Sequence, residues 1–427
     1  MANVLFLSLV FPPDGVSTAL IMGELAADLR ARGHDVRVVT TSPHYNRDEA
    51  AEAGQPLRPW WGRLLRRSEY AGIPVVHTWM PRKGAGIVGR LAAWTTFHIL
   101  STGVALAIRP RPDVVIAPSP PLTVGVSAWL VCALRRARFI YNVQEIYPDI
   151  AVNLGALRNR PLIRALHALE QFVYARAAII TVIAPRMRDR LLQKGVPAGR
   201  MEVVPNFVDI TSLKPAPKDN AFCRELRLTE CFVVTYAGNM GPAQDLETFV
   251  DAAAQLHDEP NVHCLLVGGG TSEQTLRDRV QALNLRNCSI LGYQPYERMC
   301  EIYAASDVCL VPQAEATGCD AIPSKVYRIF ACGRPIIAST QADSDLAHLV
   351  RLANAGAVVP PGSPDALADA IRAAARHRSE WSAKGAAGRR HVETHYSRER
   401  ISAQYDALVR KLAPSAVERG RTTCQPL

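Results

Sequence analysis

The sequence predicts an α/β protein of two Rossmann-like domains, each a doubly wound parallel sheet, facing one another across a central cleft. Three observations predict it. The chain has 427 residues, which suits two cores better than one. Short apolar runs alternate with helical stretches along nearly its whole length. The alternation then restarts after a proline-flanked linker, Lys214–Lys218. With 48% hydrophobic and 21% charged residues, the composition excludes a disordered chain.

In the first half, Val4–Phe11 reads as a buried strand and not as a signal peptide, because no basic leader precedes it and Pro12-Pro13 ends it. Ser17–Arg32 is a helix closed by Gly33, and Asp35–Thr40 is the next strand. Asp113–Ala117, Arg138–Val143 and Ala178–Ile183 continue the sheet. Gly86–Ile108 carries one formal charge, Arg90, in 23 residues, so its length alone would span a bilayer. Thr95, Thr96, His98, Ser101 and Thr102 interrupt it, and a strand follows at once. It is expected to be a helix packed on the first domain; a face touching the membrane interface stays open.

The second half repeats the plan without repeating the sequence. Phe232–Ala237, His263–Val267, Ser289–Leu291, Val308–Val311 and Pro335–Ser339 are its strands, and Asp245–Leu256 is a helix between the first two. The expected domains are residues 1–205, acceptor-side, and 206–395, nucleotide-sugar-binding. Residues 396–427 hold a helix, about Glu399–Leu412, that returns toward the first domain, and a frayed tail.

Charge is uneven. Residues 1–205 carry 25 Lys and Arg against 14 Asp and Glu, whereas 206–427 carry 24 against 25. The net +10 thus sits in the first half. That field suits an anionic partner such as a phospholipid surface or a lipid pyrophosphate, and nucleic acid is not an expected partner. The ten cysteines form no CxxC pair, which argues for reduced thiols in a cytoplasmic protein and against a zinc site.

Several residues stand where open sheets bind ligands. Gly15 lies between the first strand and the first helix, where backbone amides approach a phosphate. Gly268-Gly269-Gly270 holds the same place in the second domain, but it is not the glycine fingerprint of a dinucleotide enzyme, which counts against a dehydrogenase. In the stretch Asp320 to Ser339, Ser324 is a candidate N-cap and Lys325 stands at a helix start that attracts anions. Glu145 and Asp149 follow a first-domain strand and are candidates to orient or deprotonate an acceptor. Tyr293, beyond a second-domain strand, is a candidate to stack on a base, with core packing equally open. Asp343-Ser344-Asp345 has the D-x-D spacing of metal-dependent transferases and is discounted as a loop.

Phe11-Pro12-Pro13, the run Asp113 to Pro121, Glu145 to Asp149, Pro205-Asn206, Ala237 to Met240, Pro323-Ser324-Lys325 and Ala331 to Pro335 occur in order along the chain. On them the sequence resembles the retaining family 4 glycosyltransferases of the GT-B fold. Within these it is similar to bacterial O-antigen, capsule and colanic-acid enzymes, including L-fucosamine transferases. The resemblance implies a metal-independent transferase that needs no cofactor and takes its sugar from a nucleotide donor, UDP-linked by expectation.

It also assigns roles. The family's acidic pair falls on Asp320, which would meet the donor sugar, and on Arg328, which accepts no hydrogen bond from a ribose hydroxyl. The Arg and Lys that clamp the diphosphate are replaced by Asn239 and Gln244, so Lys325 is expected to carry more of that charge. The first-domain histidine position holds Gln144. Asp320, Glu145 and Lys325 are thus the catalytic candidates. The acceptor would be a polyprenyl-linked or other glycan, and the protein a peripheral one at the inner face of the cytoplasmic membrane. A nucleotide-sugar 2-epimerase, a sugar-phosphate synthase or a non-catalytic nucleotide-sugar-binding protein are the other readings.

Overall fold

A run such as Val114–Ser119, buried at every position, has no polar face and belongs in a sheet covered on both sides. The computed structural model, which describes residues 1–44, 49–81, 87–317 and 322–414, places it so. Contacts divide the chain into two units. One comprises Met1–Asp149, Leu157–Pro205 and the chain from Glu399 onward; the other comprises Ile150–Ala156 and Asn206–Arg398.

The first unit holds β1 (Asn3–Leu7), β2 (Asp35–Thr41), β3 (Arg58–Trp61), β4 (Leu65–Tyr70), β5 (Ile73–Thr78), β6 (Val114–Ser119), β7 (Arg138–Val143), β8 (Ile179–Val182) and β9 (Met201–Val203). They form one sheet in the order β3-β4-β5-β2-β1-β6-β7-β8-β9. From β5 to β9 neighbours run parallel, whereas β4 pairs antiparallel with both β3 and β5. This edge meander lies between the expected strands Asp35–Thr40 and Asp113–Ala117, in a region to which the sequence assigns no strand. Its turn is Ala71-Gly72, with φ of +48° and +76°, the two-residue left-handed turn that matches strand twist. Buried side chains fasten it: His77 Nδ1 lies 2.9 Å from the Thr41 carbonyl, and its Nε2 lies 2.7 Å from the Ser68 hydroxyl.

The apolar stretch is a helix, Ile87–Ala107, packed beside helix Val124–Arg135 and the sheet. Among the described residues no helix is long and apolar enough to cross a membrane. The final helix, Arg398–Leu412, is tied to the first unit by Ser402 donating to Asp28 at 2.6 Å and by Asp406 lying 2.7 Å from His34.

The second unit holds β10 (Phe232–Asn239), β11 (Val262–Gly269), β12 (Cys288–Leu291), β13 (Val308–Pro312), β14 (Ile336–Ser339) and β15 (Gly356–Val359). All pair in parallel, in the order β12-β11-β10-β13-β14-β15. Phe232, Val234, Tyr236, Phe249, Leu266 and Trp381 belong to the core that covers one face. The fold is therefore two parallel-sheet α/β domains, the first with an antiparallel edge.

Candidate functional site

Strands β10 and β11 are paired to their last residues, Gly238 opposite Gly268 and Asn239 opposite Gly269. At Gly268, φ is +142° and a Cβ would lie 1.9 Å from the Gly238 carbonyl oxygen. A glycine is thus demanded here by the neighbouring strand. At Gly238, φ is +146° and a Cβ would lie 2.7 Å from Lys325 Nζ. The missing side chain is what lets the lysine reach the strand end.

Lys325 opens helix Lys325–Ala331, and its Nζ lies 3.8 Å from the centre of the Tyr236 ring. Burial, and then the charge of Arg328, bring its pKa from an ordinary 10.5 to about 7. Among the described residues no carboxylate offsets this charge. Ser324 occupies the N-cap position but makes no side-chain capping bond, and the helix has only seven residues. The expected cap is therefore absent, and attraction at this end rests on the Lys325 ammonium more than on a helix dipole. Arg328 lies with its guanidinium 5.4 Å from the centre of the Tyr296 ring.

Around Lys325 the loop after β10 is braced by amides. Asn239 Nδ2 donates to Gln244 Oε1 at 3.5 Å, and the Gly241 N–H donates to the same oxygen at 3.0 Å. Tyr293 donates its hydroxyl to the Gly269 carbonyl at 2.8 Å and stays 52% exposed. Asn239, Gln244, Gly268, Tyr293 and Lys325 therefore share the carboxyl end of β10 and β11, the edge where open parallel sheets bind ligands. Two residues of this site escape sequence reasoning. Tyr236 reads only as a core aromatic in a strand, and Glu273 has its Oε2 3.0 Å from where a Gly269 Cβ would stand. Asp320 lies outside the described residues.

Gly15, Gln144, Glu145 and Asp149 belong to the first unit. Gly15 precedes helix Ser17–Ala31, whose N-cap residue Val16 makes no side-chain capping bond. Glu145 follows β7, and burial holds its carboxyl above the usual range. Gln144 is buried and donates to Asn142 Oδ1 at 2.6 Å, while Asn142 Nδ2 reaches the Tyr405 hydroxyl at 2.8 Å. Its amide is engaged in a core network.

Asp149, expected on the acceptor side, is held by basic side chains. Its two oxygens accept from Lys194 at 2.9 Å and from Arg190 at 3.1 Å. Lys194 also donates to the fully buried Glu170 at 2.7 Å, so the Asp149 carboxylate belongs to an ion cluster. Asp149, His167 and Glu170 are the one group, among the described residues, whose atoms converge as metal ligands would. The Lys194 ammonium already supplies their positive charge. In Asp343-Ser344-Asp345, Ser344 accepts from the Ala347 N–H and caps helix Asp345–Leu352.

Comparison with known proteins agrees with this architecture. Residues 18–206 match the model of a glycosyl transferase 4-like domain, and residues 231–377 match glycosyl transferases group 1. WcaI of Escherichia coli (strain K12), named as a colanic acid biosynthesis glycosyl transferase, is 27% identical over 87% of this chain and 92% of its own. A GDP-mannose-dependent monoacylated alpha-(1-6)-phosphatidylinositol monomannoside mannosyltransferase of Corynebacterium glutamicum is 29% identical over 46% of this chain and 53% of its own. Anabaena Alr3699/HepE, crystallised with UDP-glucose, superposes with a TM-score of 0.73 over 96% of this chain and all of its own, at 17% identity. The chain thus joins a glycosyl transferase 4-like domain to a glycosyl transferases group 1 domain, and is a two-domain glycosyltransferase of the GT-B fold.

Proposed function

We propose that the protein transfers a sugar from a UDP-linked donor to a lipid-linked or other glycan acceptor in surface polysaccharide synthesis, with retention and without a metal. One observation carries this reading: Lys325, its charge drawn from water and offset by no described carboxylate, stands at a glycine-walled strand end. A diphosphate placed there restores the ammonium's charge and gains a fixed cation in low dielectric as the leaving group develops its own. Asn239 and Gln244 line the same loop and supply amide donors. Tyr293 offers a half-exposed ring for the base. Asp320 is assigned to the donor sugar, and Glu145 to the acceptor hydroxyl. The UDP-glucose bound by Alr3699/HepE and the polysaccharide role in the name of WcaI support the donor and the pathway.

The test is a thermal-shift screen of UDP-, GDP- and dTDP-sugars, followed by turnover of the best donor with Lys325→Ala. Stabilisation by UDP-sugars and loss of turnover are expected. Intact donor turnover in Lys325→Ala would disprove the diphosphate site. Conversion of a UDP-sugar without acceptor would identify an epimerase instead.

A further inference from the structure

Away from the strand ends discussed above, the first unit contains an apolar cleft of about 640 Å³ between the β3–β5 meander and the second half of helix Ile87–Ala107. Its volume falls within the roughly 300–1,000 Å³ range of small-molecule sites. Trp60, Trp61, Val76, Val104 and Ile108 are among its lining. Arg37 and Arg109 bring it to the amino-terminal ends of β2 and β6, whereas Gly15 and Glu145 follow the carboxyl ends of β1 and β7. It is therefore separate from any nucleotide or acceptor edge.

Its mouth combines large exposed apolar groups with positive charge. Trp61 is 66% exposed and Ile99 67%, and Trp60 is also exposed. Such a cluster costs solvation free energy unless something covers it. Arg37, Arg67 and Arg109 line the same cleft. The Arg67 guanidinium lies 3.3 Å from the centre of the Trp60 ring, and Arg37 Nε is a buried donor without a partner. Among the described residues, Asp35 is the one carboxylate paired with any of these three arginines, at 3.4 Å from Arg37. The meander itself, residues 58–78, carries four arginines and a single acid, Glu69. An occupant matching both features has a hydrocarbon chain and an anionic head. A neutral peptide or a free phosphate satisfies only one of them.

We propose that this cleft takes an acyl chain of an anionic membrane phospholipid, with Arg37, Arg67 and Arg109 on its phosphate and the tryptophans at the interface. The first unit would thereby seat on an anionic bilayer through a lipid-binding site and not through diffuse charge alone. The proposal deepens the membrane side of the proposed function but does not require transfer to occur. Donor turnover by a wild type that does not bind anionic vesicles counts against the cleft alone, and vesicle binding by a wild type without turnover counts against the transferase reading alone.

Gly103 offers a clean test. It lines the cleft, and a Cβ there meets nothing within 4 Å, so Gly103→Phe fills the space from a helix that tolerates it. The full chain is sedimented with vesicles of phosphatidylcholine, with and without phosphatidylglycerol, the latter also with brominated acyl chains that quench tryptophan. Wild type is expected to bind anionic vesicles at least roughly tenfold tighter than neutral ones and to be quenched by the brominated chains. Gly103→Phe should keep its melting temperature and lose the quenching. The double variant Arg37→Gln, Arg67→Gln should lose the preference for anionic vesicles. Unchanged quenching in Gly103→Phe, equal binding to neutral vesicles, or a dimer in sedimentation velocity that Gly103→Phe abolishes would each overturn the proposal.

Discussion

Lys194 in the first unit and Lys325 in the second are used in opposite ways. Lys194, in the first unit, is enclosed by carboxylates, 2.7 Å from Glu170 and 2.9 Å from Asp149. Lys325, in the second, lies over a tyrosine ring with no described carboxylate beside it, and its pKa falls to about 7. A cation matched by its own chain is part of the structure. One left unmatched at a strand edge favours an incoming anion, because the free protein bears a desolvation cost that a ligand's charge removes.

The contrast can be broken most forcefully at Lys194. Lys194→Met leaves Glu170 buried without its cation, and should destabilise the first unit by about 3 kcal/mol, visible as a lowered denaturation midpoint. Lys325→Ala should do the reverse. Turnover should fall by roughly 10²–10³, while the melting temperature holds or rises because a desolvated charge is gone. If Lys325→Ala melted early with normal activity, the two lysines would have to exchange roles.

Titration sharpens the same comparison. With a free-state pKa of about 7, Lys325 is neutral at higher pH, so diphosphate binding must take up a proton. Nucleotide affinity should then weaken by up to about tenfold per pH unit above 7, a slope that Lys325→Ala should abolish. In the first unit one pH-sensitive group is His77, which burial lowers from 6.5 to about 4 although the Thr41 carbonyl opposes the shift. Its depressed value means that the unfolded chain binds the proton first as pH falls. Stability present above pH 6.5 is therefore lost between 6.5 and about 4, to the extent of roughly 3 kcal/mol, and His77→Gln should flatten that acid limb. The smallest effect is expected at Tyr236. Tyr236→Leu removes the ring beneath Lys325 and should weaken nucleotide binding by about 1 kcal/mol, readable by calorimetry.

The parallel strands were legible because apolar runs such as Phe232–Ala237 have one physical explanation, burial on both faces. The β3–β5 meander was not. In Leu65–Tyr70 only Leu65 is fully buried, so the strand exists through pairing and not through its own pattern. At the site, Lys325 and the glycines were readable from their place at strand ends. Tyr236 was hidden because a core aromatic and a cation platform have the same sequence signature. The ion cluster of Asp149 was hidden because its partners Arg190 and Lys194 follow it by 41 and 45 residues, beyond any local pattern.

The helix Arg398–Leu412 has a consequence for how the chain is made. Its Tyr405 hydroxyl completes the buried network of Asn142 and Gln144, and its Asp406 meets His34, yet almost the whole second unit is synthesised before it. At about 5–20 residues per second, the ribosome delivers that last piece some tens of seconds after the strands it seals. Until then Asn142 lacks the hydroxyl that its amide donates to. The first unit is thus born open, and it closes only after the second unit's sheet has been synthesised.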